Sequence, residues 1–379
     1  KDDKKANDKA KKEFDAATGK VTTAKRNHED SIRDRKRAEV VVTKRAAELA
    51  VEEGDLKRVT EAHAALGTDS PALNPLSAKF AADGSRVAVG CADGSIRVFG
   101  AAGSLFAEIR DGHSAGVLDI DFAADGTVAA CTQDGRLAAW RVSDTWKLER
   151  VIGDVDDSSI FSDRVLAIDF SPDGKLVATG GGEPSRGGEL KVFEVGTGKL
   201  IFQSTKAHSD SLFGVEFSAC GRYVATGGAD RFARVFRISD GKVVGAYEGH
   251  SSHVMGVSWT SDGKTLATCG ADNVIKVWNV ETRESKRTIG GFGKQVTSVN
   301  FVGDSQNLLS TCGDKSLRLH QANDGKQIRS FGGSADFVYC ADVTPDGKKV
   351  VAGGYDAVFR VWDGSNGKLI AEFKAPEEN

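Results

Sequence analysis

The chain has 379 residues, of which 40% are hydrophobic and 28% are charged, and its formal net charge is −3. This composition is typical of a folded globular protein, and the length exceeds that of one ordinary compact domain. No apolar stretch approaches the roughly 18 residues that a membrane-spanning helix needs, so we expect no membrane insertion.

The chain divides into two segments of different composition. Residues 1–66 contain 17 Lys/Arg and 14 Asp/Glu, but only 2 of the 44 glycines and no proline. The remaining residues contain 34 Lys/Arg and 40 Asp/Glu. We therefore predict a charged segment over 1–66, a linker over 67–75, a second domain over 76–375 and a short tail over 376–379. The acidic balance of the second domain argues against binding to nucleic acid.

The first segment is predicted to be a long charged α-helix, because it lacks proline and is rich in Ala, Lys, Glu and Arg. Apolar residues such as Phe14, Ala17 and Val21 recur at spacings of three, four and seven, which places a narrow apolar stripe on one face. Such a stripe cannot bury itself. We expect it to be covered by a coiled-coil-like contact with a partner helix, including that of a second copy of this chain, by a hairpin return or by a surface. The alternative is a solvated spacer.

The second segment is an internal repeat. A turn pair recurs every 42 to 48 residues, at Asp83-Gly84, Asp125-Gly126, Asp173-Gly174, Cys220-Gly221, Asp262-Gly263, Asp304-Ser305 and Asp346-Gly347. A second marker recurs at a similar spacing, at Phe99, Trp140, Phe193, Phe236, Trp278, His320 and Trp362. Short alternating stretches bounded by turn residues lie between the markers. Four strands in about 40–45 residues form one blade of a β-propeller, so the sequence predicts an all-β, seven-bladed propeller.

The fifth repeat resembles the WD40 family through Gly249-His250, Asp262-Gly263, Thr268, Asp272 and Trp278. The resemblance covers residues 74–373 and implies that His250, Thr268, Asp272 and Trp278 form a hydrogen-bonded clamp within one blade. The same clamp is implied in part for two other repeats, by His113, Asp134 and Trp140 in the second and by His208, Thr226 and Asp230 in the fourth. We expect blades 1, 3, 6 and 7 to depend more on packing.

Four stretches, 180–186, 271–278, 290–299 and 361–364, resemble exported bacterial proteins of planctomycete type in which WD40 repeats are joined to a c-type cytochrome domain. This resemblance implies a periplasmic or cell-envelope location and an upstream domain in the native chain; a cytoplasmic location is the alternative. The sequence contains no Cys-x-x-Cys-His motif, so we predict no covalent haem and no other cofactor.

The search for catalytic chemistry is negative. His253 is the only histidine outside both the helix and the blade-clamp positions, and it has no paired nucleophile or carboxylate set. The six cysteines show no metal-ligand spacing. The first strands show no repeated charged residues that would converge on the channel. We predict a non-enzymatic scaffold that docks a protein partner. The alternatives are the docking or sensing module of a larger redox protein and an enzyme with its site in the channel.

The predicted partner site lies on blade 3, which departs from the 42-residue period. One extra stretch, Gly153–Asp163, carries Asp154, Asp156, Asp157 and Asp163; the other, Gly182–Gly188, carries Glu183 and Arg186. Connections into the first strand and between the second and third strands emerge on the same face, so we expect the two stretches to lie side by side. Four carboxylates favour a basic partner or a divalent cation. Gln133, His253 and Tyr355 are predicted to share this face. The alternative is a tolerated surface insertion.

The repeats also predict how the ring closes. Each repeat supplies four strands of its own, and the last strand is predicted over Lys368–Phe373. We therefore predict that blade 7 closes directly against blade 1, with Ser77–Phe80 as an inner strand.

Overall fold

The computed structural model describes residues 75–81, 83–100, 105–110, 115–123, 125–141, 147–153 and 160–374. Within these residues the chain forms seven antiparallel four-stranded sheets, each built from four consecutive strands. The predicted all-β, seven-bladed propeller is therefore confirmed. The helix predicted over residues 1–66 lies outside the described residues, as does the predicted linker up to residue 74.

The strands follow one another in chain order, four to a blade. Blades 1 and 2 consist of β1 (Pro75–Phe80), β2 (Arg86–Cys91), β3 (Ile96–Gly100), β4 (Leu105–Ile109), β5 (Val117–Phe122), β6 (Val128–Thr132), β7 (Leu137–Arg141) and β8 (Lys147–Ile152). Blades 3 and 4 consist of β9 (Val165–Phe170), β10 (Leu176–Glu183), β11 (Gly187–Glu194), β12 (Leu200–His208), β13 (Leu212–Phe217), β14 (Tyr223–Gly228), β15 (Phe232–Arg237) and β16 (Val243–Glu248). Blades 5 to 7 consist of β17 (Val254–Trp259), β18 (Thr265–Gly270), β19 (Ile275–Asn279), β20 (Ser285–Ile289), β21 (Val296–Phe301), β22 (Asn307–Cys312), β23 (Leu317–Gln321), β24 (Gln327–Phe331), β25 (Val338–Val343), β26 (Lys349–Gly354), β27 (Val358–Asp363) and β28 (Leu369–Lys374).

Burial falls from the second strand of each blade to the fourth. Every residue of β18 is buried, whereas Ile289 is the only buried residue of β20. The second strand is covered on both faces by the neighbouring blades and is therefore a continuous run of small and apolar residues. The core accordingly consists of clusters between adjacent blades.

The Asp-Gly marker is a tight turn between the first and second strands. In blade 5, Asp262 Oδ1 accepts the Thr260 hydroxyl at 2.6 Å and the Lys264 N–H at 3.0 Å. Gly263 has φ of 66°, in the left-handed region that glycine adopts without strain. These requirements explain why the pair recurs at the period of the repeat.

Within the described residues, the ring closes as predicted, between blade 7 and blade 1. Strand β1 lies beside β25 and β26, and the sheet of blade 7 contains only β25 to β28. The aromatic ring of Phe373 in β28 stacks on Phe99 of blade 1, with 5.3 Å between centroids. The inner strand starts at Pro75, two residues earlier than predicted.

Blade 3 differs from the prediction in the form of its second insertion. Strands β10 and β11 pair without interruption from Leu176 and Glu194 to Glu183 and Gly187. The insertion predicted as a loop over Gly182–Gly188 is therefore mostly a lengthened hairpin, because its backbone groups continue the hydrogen-bond ladder. At its tip, Ser185 has φ of 62° and its N–H donates to Asp210 Oδ1 at 2.7 Å.

Candidate functional site: the loop face and the central channel

Blade 5 contains the full hydrogen-bonded set that the resemblance implies. His250 Nδ1 lies 2.9 Å from Asp272 Oδ1, and His250 Nε2 lies 2.8 Å from Thr268 Oγ1. Because a carboxylate can only accept, Nδ1 carries the proton and Nε2 accepts the Thr268 hydroxyl. Trp278 Nε1 donates to the same hydroxyl oxygen at 2.9 Å. Burial lowers the pKa of His250, which keeps the ring neutral and suited to both roles.

Blade 4 repeats this geometry with one change. His208 lies 2.8 Å from both Asp230 Oδ1 and Thr226 Oγ1, while Phe236 occupies the tryptophan position and has no N–H to donate. Arg234 Nη1 adds an ion pair to Asp230 Oδ2 at 2.8 Å. In this blade the guanidinium of Arg234, in the third strand, therefore contacts the aspartate of the clamp.

Blade 2 has a different hydroxyl donor. The Asp134 carboxylate accepts a hydrogen bond from Thr132, two residues after the Ala130 that occupies the usual position. Trp140 is buried at the blade boundary, packed with Ile120 and Ile96. His113 lies outside the described residues. Thr132, at the end of the same strand, therefore supplies the hydroxyl that Ala130 cannot provide.

Blades 1, 6 and 7 replace the histidine with an ion pair between the turn Asp and an Arg four residues later. The distances are 3.5 Å for Asp93–Arg97, 2.9 Å for Asp314–Arg318 and 2.7 Å for Asp356–Arg360. Blade 3 uses Lys191, which pairs with Glu189 at 2.7 Å. These four blades, which we expect to depend more on packing, thus also contain a charged pair near the clamp position. In blades 1, 6 and 7 the sequence signal for this pair is the Asp-x-x-x-Arg spacing that runs from the turn Asp into the third strand.

In blade 6 the histidine position of the clamp is taken by Phe292. Arg318 lies over its ring, with the guanidinium carbon 4.8 Å from the centroid, and the ring of His320 is tilted against it, with 5.6 Å between centroids. Burial lowers the pKa of His320 to about 4, so its ring is neutral at physiological pH. His320 is therefore a core residue of this blade.

The central channel is lined by a polar belt with one residue from the first strand of each blade. The members are Lys79, Asp121, Asp169, Glu216, Ser258, Asn300 and Asp342. The expectation that the first strands carry no repeated charged residues is wrong. Each member directly precedes the last residue of its strand, usually an aromatic one, and recurs at the spacing of the turn marker. This position and this spacing could have been recognised in the sequence.

Each belt residue reaches the first strand of the next blade. Backbone N–H groups donate from Phe80 to Asp342 at 2.8 Å, from Phe170 to Asp121 at 2.8 Å, from Phe217 to Asp169 at 2.6 Å, from Trp259 to Glu216 at 3.1 Å and from Phe301 to Ser258 at 3.0 Å. Asn300 Nδ2 donates to the Ala341 carbonyl at 2.9 Å, and Lys79 Nζ lies 3.5 Å from Asp121 Oδ1. The belt therefore links all seven blades around the channel.

Carboxylates outnumber cations in the belt. Asp119, two residues before Asp121 in strand β5, adds a further carboxylate and accepts the Ile168 N–H at 2.9 Å. Burial raises the pKa of Asp119 to about 7 and that of Glu216 to about 8. The Asp121 carboxylate holds the pKa of Lys79 well above its usual value. Lys79 is the one cationic side chain among the described residues that line the channel, so the channel is acidic.

Towards the face that carries the inter-blade loops, the channel is apolar. We call this face the loop face and the ring of side chains at its channel mouth the collar. The collar consists of Leu76, Leu118, Leu166, Phe213, Met255, Thr297 and Tyr339. The aromatic members of the collar contact further rings outside the channel. Between ring centroids, Phe213 lies 5.9 Å from His253, and Tyr339 lies 5.0 Å from Phe337 and 6.4 Å from Tyr355. The channel is thus apolar at the loop face and acidic below it.

A family comparison agrees with this geometry. The model of the WD domain, G-beta repeat (WD40), matches more than half of the chain, at residues 66–100, 105–141, 158–194, 199–237, 241–279, 283–321 and 325–363. The chain belongs to the WD40 family. No curated protein matches it, so the narrower resemblance to cytochrome-linked proteins gains no support.

The predicted partner residues of this WD40 propeller lie on the loop face where they are described. Gln133, His253 and Tyr355 are exposed, and Tyr355, at 67%, is the most exposed large apolar side chain among the described residues. Asp154, Asp156 and Asp157 lie outside the described residues. Sequence reasoning missed Phe213, Phe337 and Tyr339, which look like ordinary strand residues until the ring closes.

The two insertions of blade 3 meet on this face. The Ser162 N–H donates to Glu189 Oε2 at 3.3 Å, and the Gly182 N–H donates to the Arg164 carbonyl at 3.4 Å. Their charged residues pair locally, Asp163 with Arg164 at 3.5 Å and Glu183 with Arg186 at 2.6 Å. Arg186 therefore offsets Glu183, and Arg164 offsets Asp163.

Among the described residues no group of three or more His, Cys, Asp or Glu has the arrangement of a metal site. A search of the same residues for a helix of the length and apolarity needed to cross the membrane finds none.

Proposed function

We propose that this WD40 propeller is a non-catalytic scaffold that docks a protein partner on its loop face. The observation that carries the proposal is the amphipathic channel, with its apolar and aromatic collar above the acidic belt. WD40 propellers are in general interaction scaffolds without catalytic activity. A rigid ring with its loops on one face suits this role, since binding residues concentrate on loops held by a rigid scaffold.

The chemistry of the channel favours a partner segment that presents Lys or Arg. These side chains combine an aliphatic stem with a cationic head. The stem would lie against collar residues such as Leu166, Phe213 and Met255, and the head would face the carboxylates of Asp169 and Glu216. Among the described residues neither group forms an ion pair, because Lys79 pairs with Asp121. Burial raises the pKa of both groups, that of Glu216 to about 8, so a cationic head would bind with release of a proton from this pair.

Around the mouth, the proposed contact surface extends over the residues predicted from the sequence. It comprises Gln133, His253, Tyr355, Asp163, Glu183 and Arg186, together with Asp154, Asp156 and Asp157. The acidic members of this set support a basic partner for the same reason as the channel. Deletion of 184–187 together with Asp156→Ser and Asp157→Ser tests this extension.

Residues 1–66 are proposed to tether the propeller to a partner helix, to a second copy of the chain or to an upstream domain. No observation in the described residues favours the alternative role within a cytochrome-linked redox protein.

The test compares capture of native partners by immobilised wild-type protein and by two collar variants, Phe213→Ala and Tyr339→Ala. Captured proteins are identified by mass spectrometry at low and at high salt. We expect one set of partners to be lost with both variants and weakened by salt. The matched control is Ile370→Ala, at a residue 53% exposed on the outer strand of blade 7. If the collar variants and the control capture the same proteins as wild type, the docking site is not the channel mouth.

A further inference from the structure

A side chain of one blade covers a turn of the next at four junctions on the face opposite the loop face. Arg150, Phe202, Arg287 and Arg329 of the fourth strands lie over Gly198, Gly241, Gly325 and Gly367 in the turns between the third and fourth strands. A methyl group placed on Gly198 would lie 2.8 Å from Arg150 Cδ, and one on Gly367 would lie 3.0 Å from Arg329 Cδ. The three arginines donate to carbonyls of the covered turn or its neighbour, at Gly196, Asn323 and Gly364.

The junction between blades 4 and 5 reverses this arrangement. The covering position is Gly245, which pairs with Val235 as Arg287 pairs with Val277. The turn position is Arg283, with φ of 64°, where the other four turns have glycine. Gly245 also makes room for Tyr247, whose hydroxyl would lie 2.9 Å from a methyl group there. At this junction Gly245 therefore provides no covering side chain, and Arg283 occupies the turn position that is glycine in the other four turns.

The result is an open groove of about 480 Å³ between blades 4 and 5. Its floor is apolar and consists of Val235, Val244, Tyr247, Trp259 and Val280. The corresponding groove between blades 6 and 7 measures about 340 Å³ and is lined by Arg329. The groove between blades 4 and 5 is larger, and no side chain equivalent to Arg329 covers its floor.

The rim of this groove carries cations that lack carboxylate partners. Arg237 pairs with Asp240 at 3.1 Å, but within the described residues Arg222 and Arg283 form no ion pair with a carboxylate. Asp262 is engaged in its own turn with Thr260 and Lys264. Cys220, beside Arg222, is the exposed cysteine of the chain and lies at the edge of the groove. Glu281, which is exposed, also lines the groove, so its charged lining consists of three guanidinium groups and two carboxylates. The groove therefore pairs an apolar floor with a net positive rim, on which Arg222 and Arg283 form no ion pair within the described residues.

We propose that this groove binds an acidic peptide segment of a protein partner, with a large apolar side chain on the floor and carboxylates on Arg222 and Arg283. Charge complementarity carries the choice of partner, because guanidinium groups bind carboxylates in paired hydrogen bonds. The site lies on the face opposite the proposed channel site and has the opposite charge preference. It is independent of that proposal.

The test uses three capped hexapeptides in which leucine alternates with glutamate, with glutamine or with lysine. Binding is followed by fluorescence anisotropy and by protection of Cys220 from iodoacetamide, read by intact mass with Cys220→Ser as the blank. We expect the glutamate peptide to bind at least about tenfold more tightly than the other two, about 1.4 kcal/mol. We also expect it alone to protect Cys220.

The matched variant carries Gly245→Arg, Tyr247→Ile and Arg283→Gly, which reproduces the junction of blades 5 and 6 at Arg287, Ile289 and Gly325. It should retain its melting temperature and lose binding of the glutamate peptide by at least about tenfold. If that variant does not fold, Arg283→Gln alone should lower affinity and reduce its salt dependence. Equal binding of the glutamate and glutamine peptides would overturn the proposal. Equal protection of Cys220 by free glutamate or phosphate would overturn the choice of a peptide.

Discussion

Asp121 and Phe170 are 49 positions apart, yet the Asp121 carboxylate accepts the Phe170 N–H at 2.8 Å across the boundary between blades 2 and 3. The first strand of each blade is a sheet edge, and an edge strand has backbone N–H groups without a partner in its own sheet. In this propeller five belt residues each accept one such N–H, in blades 1, 3, 4, 5 and 6. The belt therefore provides hydrogen-bond acceptors for backbone N–H groups of the edge strands. As a consequence, several carboxylates lie together around the channel.

We predict that Glu216 makes the protein less stable as pH rises. Burial raises its folded pKa from 4.5 to about 8. Between these values the folded state keeps a proton that the unfolded state has released, so the free energy of unfolding falls with increasing pH. Asp119, with a pKa of about 7, acts in the same direction. The groups facing Glu216 across the channel are Lys79, Asp121, Asp169 and Asp342.

Urea unfolding at about pH 7 and pH 9 measures this effect. Wild type should be less stable at the higher pH, and Glu216→Gln should show a smaller loss. The amide oxygen of Gln still accepts the Trp259 N–H, so the variant should fold. Identical pH dependence in the two proteins would show that Glu216 does not titrate in this range.

Thr268→Val should destabilise blade 5 by roughly 2–3 kcal/mol. The change keeps the shape of the side chain but leaves His250 Nε2 and Trp278 Nε1 buried without a partner, and each unsatisfied group costs about 1–3 kcal/mol. The control is Thr288→Val on the exposed strand β20, which should stay within about 0.5 kcal/mol of wild type. Chemical denaturation of the two variants measures the difference, and similar values for both would argue against the clamp.

The ion pairs that replace the clamp should differ in strength with burial. Arg360 and Asp356 are 6% and 8% exposed, whereas Arg318 and Asp314 are 18% and 16% exposed. Arg360→Met leaves a buried carboxylate without its partner and should cost about 3 kcal/mol, since breaking a buried pair costs about 3–5 kcal/mol. Arg318→Met should cost less.

A double variant distinguishes the ion pair from simple packing. Asp356→Asn with Arg360→Met removes both charges and should recover part of the stability lost in Arg360→Met. Denaturant midpoints of the single and double variants give the comparison. No recovery would mean that the aliphatic part of Arg360, rather than its charge, holds blade 7 together.

The fold could be predicted because two markers, such as Asp262-Gly263 and Trp278, recur with one period and each has a local cause. The belt was missed because residues such as Asp169 alternate with apolar neighbours and look like the solvent face of a strand. Only closure of the ring brings them together around a channel. The ion pairs of blades 1, 6 and 7 were missed because the search followed His250 and its equivalents rather than the turn aspartate. The hairpin tip at Ser185 depends on a long-range bond to Asp210, which sequence spacing does not reveal.

The cysteines should separate into one reactive and five protected thiols. Cys220 is exposed, and although burial opposes its ionisation, the Ser218 hydroxyl and Arg222 lower the pKa of the thiol. Burial raises the pKa of Cys340 to about 12 and that of Cys91 and Cys312 to about 11. Because the thiolate is the reactive form, brief treatment of the native protein with a maleimide should modify Cys220 alone. Intact mass should show one adduct in buffer, none in Cys220→Ser and six after unfolding in guanidinium chloride. A second adduct on the native protein at neutral pH would mean that the blades open to admit reagent to Cys340 or Cys312.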